Sequence, residues 1–267
     1  TRLGKGEEIA KYTHNIRSGA DTSTPNTPFY LYNGMDPANP LVISDDLMTA
    51  SETYRGEWNG RAAAWAAKTI MSKTYYSTHL GKGNEIADYS INYNLDGSAV
   101  KNTTVYFYGA SNLKAGLSAI NVGMSASQVE NGLNKVTTIG PDSNKKSITY
   151  YQNSTGDEQA DYTIRYEGTT AVDTTTYFYN SLRAGLSTVN LGMFASQVEQ
   201  GRNTVDIIGP DSNTKSITYY QNDIGNEQVD YTVRYMGADV IDYSYYFYGI
   251  SSKRADSSTV NNAMTIS

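Results

Sequence analysis

Apolar and polar residues alternate along much of the chain. In Asp161-Tyr162-Thr163-Ile164-Arg165-Tyr166, the residues Tyr162, Ile164 and Tyr166 fall on one side and Thr163 and Arg165 on the other. That is the period of two expected of a strand. Ile148 to Gln152 reads as the preceding strand, set off by the turn residues Asn153 to Asp157, and Thr174 to Tyr179 reads as the following one. Together they predict a three-stranded antiparallel meander packed through Tyr150, Tyr162, Ile164, Tyr166, Tyr177 and Tyr179. The period then changes. Leu182, Leu186, Val189 and Met193 are spaced i, i+4, i+7 and i+11, one face of a short amphipathic helix, and Leu113, Leu117, Ile120 and Met124 form the matching set. The expected fold is mainly β with short helices: tandem three-stranded meanders joined by amphipathic helical connectors.

The pattern repeats. Ile148-Thr149-Tyr150-Tyr151-Gln152-Asn153 recurs from Ile217, and Ser127-Gln128-Val129-Glu130 recurs from Ser196, both 69 residues on. Ile139-Gly140-Pro141-Asp142-Ser143-Asn144 returns from Ile208 at the same interval. A more diverged pair relates Leu3-Gly4-Lys5-Gly6 to Leu80-Gly81-Lys82-Gly83. Tyr30-Leu31-Tyr32, Tyr106-Phe107-Tyr108, Tyr177-Phe178-Tyr179 and Tyr246-Phe247-Tyr248 close four copies. Copy 1 is assigned to residues 1–34 and lacks its first strand. Residues 35–73 are assigned to a non-repeating helical connector, with Pro37 and Pro40 in a loop and a helix from Arg61 to Met71. Copies 2 and 3, with their connectors, take 74–147 and 148–216, and copy 4 takes 217–267.

Residues 254–267 align without gaps to residues 183–196, but Lys253 and Ser257 stand where the third copy has Leu182 and Leu186. Two expectations follow. The chain is a window on a longer continuous array, or its tail is a strand donated to a neighbouring subunit. In the second case Thr259, Val260, Met264, Thr265 and Ile266 would meet Thr1 and Leu3 of the next molecule. Thr1 replaces an initiator Met, which predicts that something precedes it.

Composition narrows the function. Tyr supplies 24 positions against 5 for Phe, and hydrophobic residues total only 39%, which suits thin sheets with half-wet faces. The absence of Cys excludes disulfides, thiolate metal sites and a cysteine nucleophile. A net charge of −6 disfavours nucleic acid and anionic membranes as partners, and no apolar run is long enough to span a bilayer.

Candidate chemistry is sparse. His14 and His79 occupy non-equivalent positions and read as incidental. Glu8, Glu85, Glu158 and Glu227 recur after the turn glycine, followed three residues later by Lys11, Asp88, Asp161 and Asp230. No cofactor is required, although these carboxylates are the set that could bind Ca2+. Turn hydrogen bonds and pairing with Lys or Arg are the simpler role. The Gly4/Gly6 and Gly81/Gly83 pairs lack the Gly-Lys-Ser/Thr of a phosphate loop. Residues 35–73 hold Asp45, Asp46, Glu52, Glu57, Trp58 and Trp65 without a spacing that selects a reaction.

The segment Ile148 to Gly156, repeated at 217–225, resembles the Tyr- and Gly-punctuated YD-type repeats of bacterial surface and toxin-shell proteins. The resemblance covers the meanders and implies a bacterial extracellular β-repeat context. The longer period and the missing Tyr-Asp-Gly-Arg signature carry over no functional residue. The expectation is a non-enzymatic, self-associating segment of an extracellular fibre, stalk or cell-surface layer. The alternative is an adhesion module that holds surface glycans on exposed Tyr faces.

Overall fold

A computed structural model describes residues 10, 26–35, 41–43, 45–55, 69–119, 122–140, 142–187, 191–221, 224–249, 252–255 and 264–266. It is mainly β, with long strands pairing antiparallel to one another. Two compact units are distinguished: residues 1–122 with 127–140, and residues 123–126 with 141–267.

The first unit contains β1 (Asn26–Tyr32), β2 (Met48–Arg55), β3 (Ile70–Ser77), β4 (Ile86–Tyr93) and β5 (Val100–Tyr108), paired in that order. The two-residue β6 (Leu113–Lys114) hooks back onto β5. Residues of β7 (Met124–Asn131) fall in both units. The second unit contains β8 (Lys145–Gln152), β9 (Gln159–Glu167), β10 (Thr170–Tyr179), β11 (Leu182–Arg183), β12 (Met193–Gln200), β13 (Thr214–Gln221), β14 (Gln228–Met236) and β15 (Asp239–Tyr245). Its sheet order is β8-β9-β10-β12-β13-β14-β15, with β11 hooked onto β10. β16 (Phe247–Tyr248) and β17 (Met264–Ile266) form a separate pair.

The strand expectations hold, and the helical connectors do not appear among the described residues. Leu182 pairs with Tyr179 in β11, Leu186 ends a single 3-10 turn at Ala184–Leu186, and Met193 opens β12. Leu113, Leu117 and Met124 repeat the arrangement around the turn Ala115–Leu117, while Val189 and Ile120 lie outside the described residues. A segment carrying Gly185, Ser187, Thr188, Asn190 and Gly192 is a poor helix former, and about 12 residues is marginal for a helix in any case. The leucines that suggested a helix are exposed, and the small Ala184 is buried instead.

The stretch 35–73 departs from the expected connector too. It contains β2, and Ile70 and Met71 belong to β3; residues 61–68 of the expected helix lie outside the described set. Met48-Thr49-Ala50-Ser51 answers Met193-Phe194-Ala195-Ser196, and the two segments pair alike. Leu31 faces Ala50 and Tyr32 faces Met48, as Phe178 faces Ala195 and Tyr179 faces Met193, each with an irregularity at the same step.

The core of the second unit lies on one sheet face. Phe178, Ala195 and Ile217 are fully buried, and Val205 and Ile208 pack onto them from the loop at 201–213. The Gln197 side chain holds that loop as a second backbone would: its Nε2 donates to the Gly209 carbonyl (2.7 Å) and its Oε1 accepts from Gly209 N–H (2.9 Å). Thr174 donates to the Gly201 carbonyl (2.7 Å) and accepts from Asn203 N–H (3.2 Å). Gly201 takes a φ of 68°, which favours glycine. In the first unit Gln128 holds Gly140, and Thr103 holds Gly132 and Asn134, in the same way.

Candidate functional site

The recurring acids are structural in their geometry. Each recurring Asp is the extra residue of a β-bulge. Tyr150 faces Tyr162 and Tyr151 faces Ala160, leaving Asp161 between; Asp88 and Asp230 are left over in the same way. Asp161 is fully buried and receives a two-pronged bond from Arg183, with Nε at 2.8 Å. Arg254 approaches Asp230 likewise (2.9 Å). Lys114 lies 2.8 Å from Asp88 Oδ1 as an ion pair, while its aligned hydrogen bond goes to the Asp88 carbonyl (3.3 Å). The cations also stand over tyrosine rings: Arg183 over Tyr162 and Arg254 over Tyr231 and Tyr245. Both bonding and the nearby carboxylates Asp161 and Asp206 hold Arg183 more firmly charged than an ordinary arginine.

The recurring Glu serves a turn in three copies, while Glu8 and Lys11 lie outside the described residues. Glu158 accepts from Gly156 N–H (2.9 Å) and from Met124 N–H (3.1 Å). Glu227 does the same with Gly225 and Met193, and Glu85 with Gly83 and Met48. Each carboxylate ties its own hairpin to the strand that opens with methionine 34 to 37 residues earlier. Among the described residues no group of three or more His, Asp or Glu is arranged to hold a metal ion. No helix among them is long and apolar enough to cross a membrane.

The predicted packing residues divide between the two faces, with Tyr150, Tyr162, Ile164 and Tyr166 on one and Tyr177 on the other. Tyr150 and Tyr162 stack at 4.7 Å, and Ile164 and Tyr166 are buried on the same face. On the opposite face Thr149, Thr163 and the Tyr177 hydroxyl form a hydrogen-bonded row (2.8 and 3.1 Å). Thr74-Ser90-Tyr106 and Thr218-Thr232-Tyr246 repeat it. The Tyr179 hydroxyl donates to the Ala160 carbonyl (3.0 Å), and burial pushes its pKa up to about 12.

Of the predicted interface residues, Met264, Thr265 and Ile266 form β17, which pairs within its own chain to β16. Thr1, Leu3, Thr259 and Val260 lie outside the described residues. In the stretch 35–73, Glu52 accepts from Lys73 and Tyr54 (both 2.7 Å), Asp46 from Ile43 N–H (2.8 Å), and Asp45 meets Lys82 at the surface. Glu57, Trp58 and Trp65 lie outside the described residues, as does His14; His79 bonds Ser77 and the Ser118 carbonyl.

The feature that reading the sequence missed is in the last copy. Where Thr103 and Thr174 anchor their loops, that copy has Tyr243; where Val105 and Thr176 are buried, it has Tyr245. Thr103, Val105, Thr174 and Thr176 are 0% exposed, whereas Tyr243 and Tyr245 are 53% and 42% exposed. Their rings lie parallel within 10° at 6.2 Å and extend a row through Tyr231 (6.0 Å) to Tyr219 (4.6 Å). Aligning the closing strands column by column would have disclosed the change. The chain matches no known protein-family model, and no curated protein shows significant sequence similarity to it.

Proposed function

We propose that the chain is a structural segment of a bacterial extracellular fibre, stalk or cell-surface layer, built from tandem β-meander copies that stack on their neighbours. The recurrence of whole bonding patterns, rather than of isolated residues, carries this reading. The bulge aspartate with its cation, the glutamate tie and the hydroxyl row all return at the repeat interval. Of these, the glutamate tie joins each copy to the one before it, as suits a quasi-one-dimensional array whose role is mechanical and whose partner is itself. No catalytic role is assigned. Each copy in this reading is a meander followed by a Met-initiated strand. Among the described residues β17 pairs with β16 alone, whereas its counterpart β12 lies between β10 and β13.

Electron microscopy of the native material, with intact-mass measurement of the dissociated chain, tests this. Filaments or layers are the expected result, and if subunits join through the tail, removing residues 259–267 releases monomers. Native material consisting of discrete monomers of about this length would overturn the scaffold reading.

A further inference from the structure

We propose that the first unit holds a binding site for an acidic sugar, a uronate-type ring with one carboxylate and neighbouring hydroxyls. The site lies at the corner where β2 ends, β3 begins and β4 turns into β5. It goes beyond the scaffold reading and stands whether or not the copies assemble end to end.

This corner is built differently from its counterparts. In copies 3 and 4 the hairpin after the bulge aspartate carries a cross-strand ion pair, Arg165 with Asp173 and Arg234 with Asp242, in each case 8 residues apart. In copy 2 the facing residues are Asn92 and Asn102, 10 apart, so this hairpin is two residues longer. The longer turn reaches sideways to the start of β3. At Gly97, with a φ of 74°, a Cβ would stand 3.0 Å from the Thr69 methyl and 3.1 Å from the Ile70 carbonyl oxygen. Glycine alone suits both the backbone and the space. With Leu95 of that turn as one wall, the corner encloses a cavity of about 410 Å³, a size that suits a small ligand.

The chemistry of the lining selects the ligand. Asn92 Nδ2 donates to Asn102 Oδ1 (2.8 Å), which leaves the Asn92 oxygen and the Asn102 nitrogen for a ligand. An acceptor beside a donor is the complement of two neighbouring hydroxyls. Arg55 and Lys101 line the same cavity, and among the described residues neither side chain has a hydrogen bond or an ion pair. Asn131 and Gln200 stand in the place of Arg55, and Val172 and Ile241 in the place of Lys101. A corner neutralised by its own ion pair in the later copies thus becomes an amide floor with two unmatched cations. Asp96, in the same turn, accepts from Ser98 N–H (2.8 Å) and is not part of the lining. A guanidinium offers a carboxylate two parallel donors. Tyr93 and Met71 supply apolar surface for the C–H face of a sugar ring. Carboxylate, paired hydroxyls and an apolar face together describe a sugar acid, either free or as a unit of an acidic polysaccharide.

The test is titration calorimetry of the whole chain with glucuronate, galacturonate and an oligogalacturonide, with glucose and inorganic phosphate as controls. At least one acidic sugar should bind, and both controls should bind at least tenfold more weakly. Tighter binding of the oligomer than of the monomers assigns the site to a polysaccharide, and equal binding assigns it to a free sugar acid. Arg55→Gln with Lys101→Val, the residues found at these places in β12 and β10, should weaken binding at least tenfold. Asn92→Arg with Asn102→Asp installs the ion pair of copy 3 without changing the net charge, and should abolish binding although both cations remain. An unchanged urea midpoint verifies the folding of each variant, and the ligand panel on the unsubstituted chain decides independently of them. Three results would overturn the proposal: no acidic sugar bound, glucose or phosphate bound as tightly as the acidic sugars, or undiminished binding by either folded double variant.

Discussion

Asp161 adds one residue to its strand and turns a carboxylate into the protein interior, where Arg183 meets it. The pair is far from equivalent to those at the surface. Asp161 is fully buried, whereas Arg234 and Asp242 leave 61% and 38% of their side chains in solvent. Removing one partner of a buried pair leaves the other uncompensated, so Asp161→Asn should cost about 3–5 kcal/mol, read as a lowered urea midpoint. Asp242→Asn is the control and should leave the midpoint nearly unchanged, because solvent screens that pair. The aspartates and their cations recur visibly in the sequence. That they occupy bulges was not legible, since a bulge is a relation between two strands and leaves no mark in one.

Among the elements, β9 could be read directly because Tyr162, Ile164 and Tyr166 alternate with Thr163 and Arg165, and β10 because its Thr and aromatic residues favour strands. β12 could not. Its inward residues are Ala195, Gln197 and Glu199, and the last two are 0% exposed, so the face that should look hydrophobic looks polar. Glu199 is accommodated by donors from Gln197 (2.7 Å), Thr214 (2.8 Å) and Asn203 (3.3 Å), while burial raises its pKa. The leucines upstream of β12 happen to have helical spacing but lie in a strand hook and a 3-10 turn. β2 was missed because Met48-Thr49-Ala50-Ser51 is short and its continuation, Glu52-Thr53-Tyr54, has lost the Gln-Val-Glu of its counterparts. One of the contacts that hold the loop over β12 can be removed singly. Thr174→Val deletes the hydroxyl that serves Gly201 and Asn203 and should cost about 1–3 kcal/mol. Hydrogen exchange should quicken across 201–213 and leave β8 and β9 protected.

Over the whole molecule, tyrosine fills the role usually taken by leucine, and this sets a limit at high pH. Burial raises the phenol pKa of Tyr32, Tyr54 and Tyr93 in the first unit and of Tyr150, Tyr162, Tyr177, Tyr179, Tyr219 and Tyr248 in the second. A phenol that ionises near pH 10 when unfolded, but only near about 12 when folded as at Tyr179, favours the folded state below pH 10. That contribution is lost as the pH rises from about 10 towards 12. Thermal unfolding should therefore change little between about pH 7 and 9 and fall steeply above about 10. Tyr179→Phe should make the fall shallower, and a midpoint insensitive to pH across that window would contradict the account.

The bulge aspartate and its cation also bear on how such a chain could change over generations. Each key and its lock lie within one copy, as Asp161 does with Arg183, 22 residues on. Duplication or loss of a whole 69-residue block leaves every remaining key with its lock, so unequal recombination can lengthen or shorten the gene without disturbing the pairing. A single-codon deletion inside a strand carries the opposite consequence: it shifts one aspartate off its bulge and turns the residues beyond it to the wrong face. Lineages carrying this architecture are thus expected to differ by integral numbers of copies, with odd-length insertions confined to the turns.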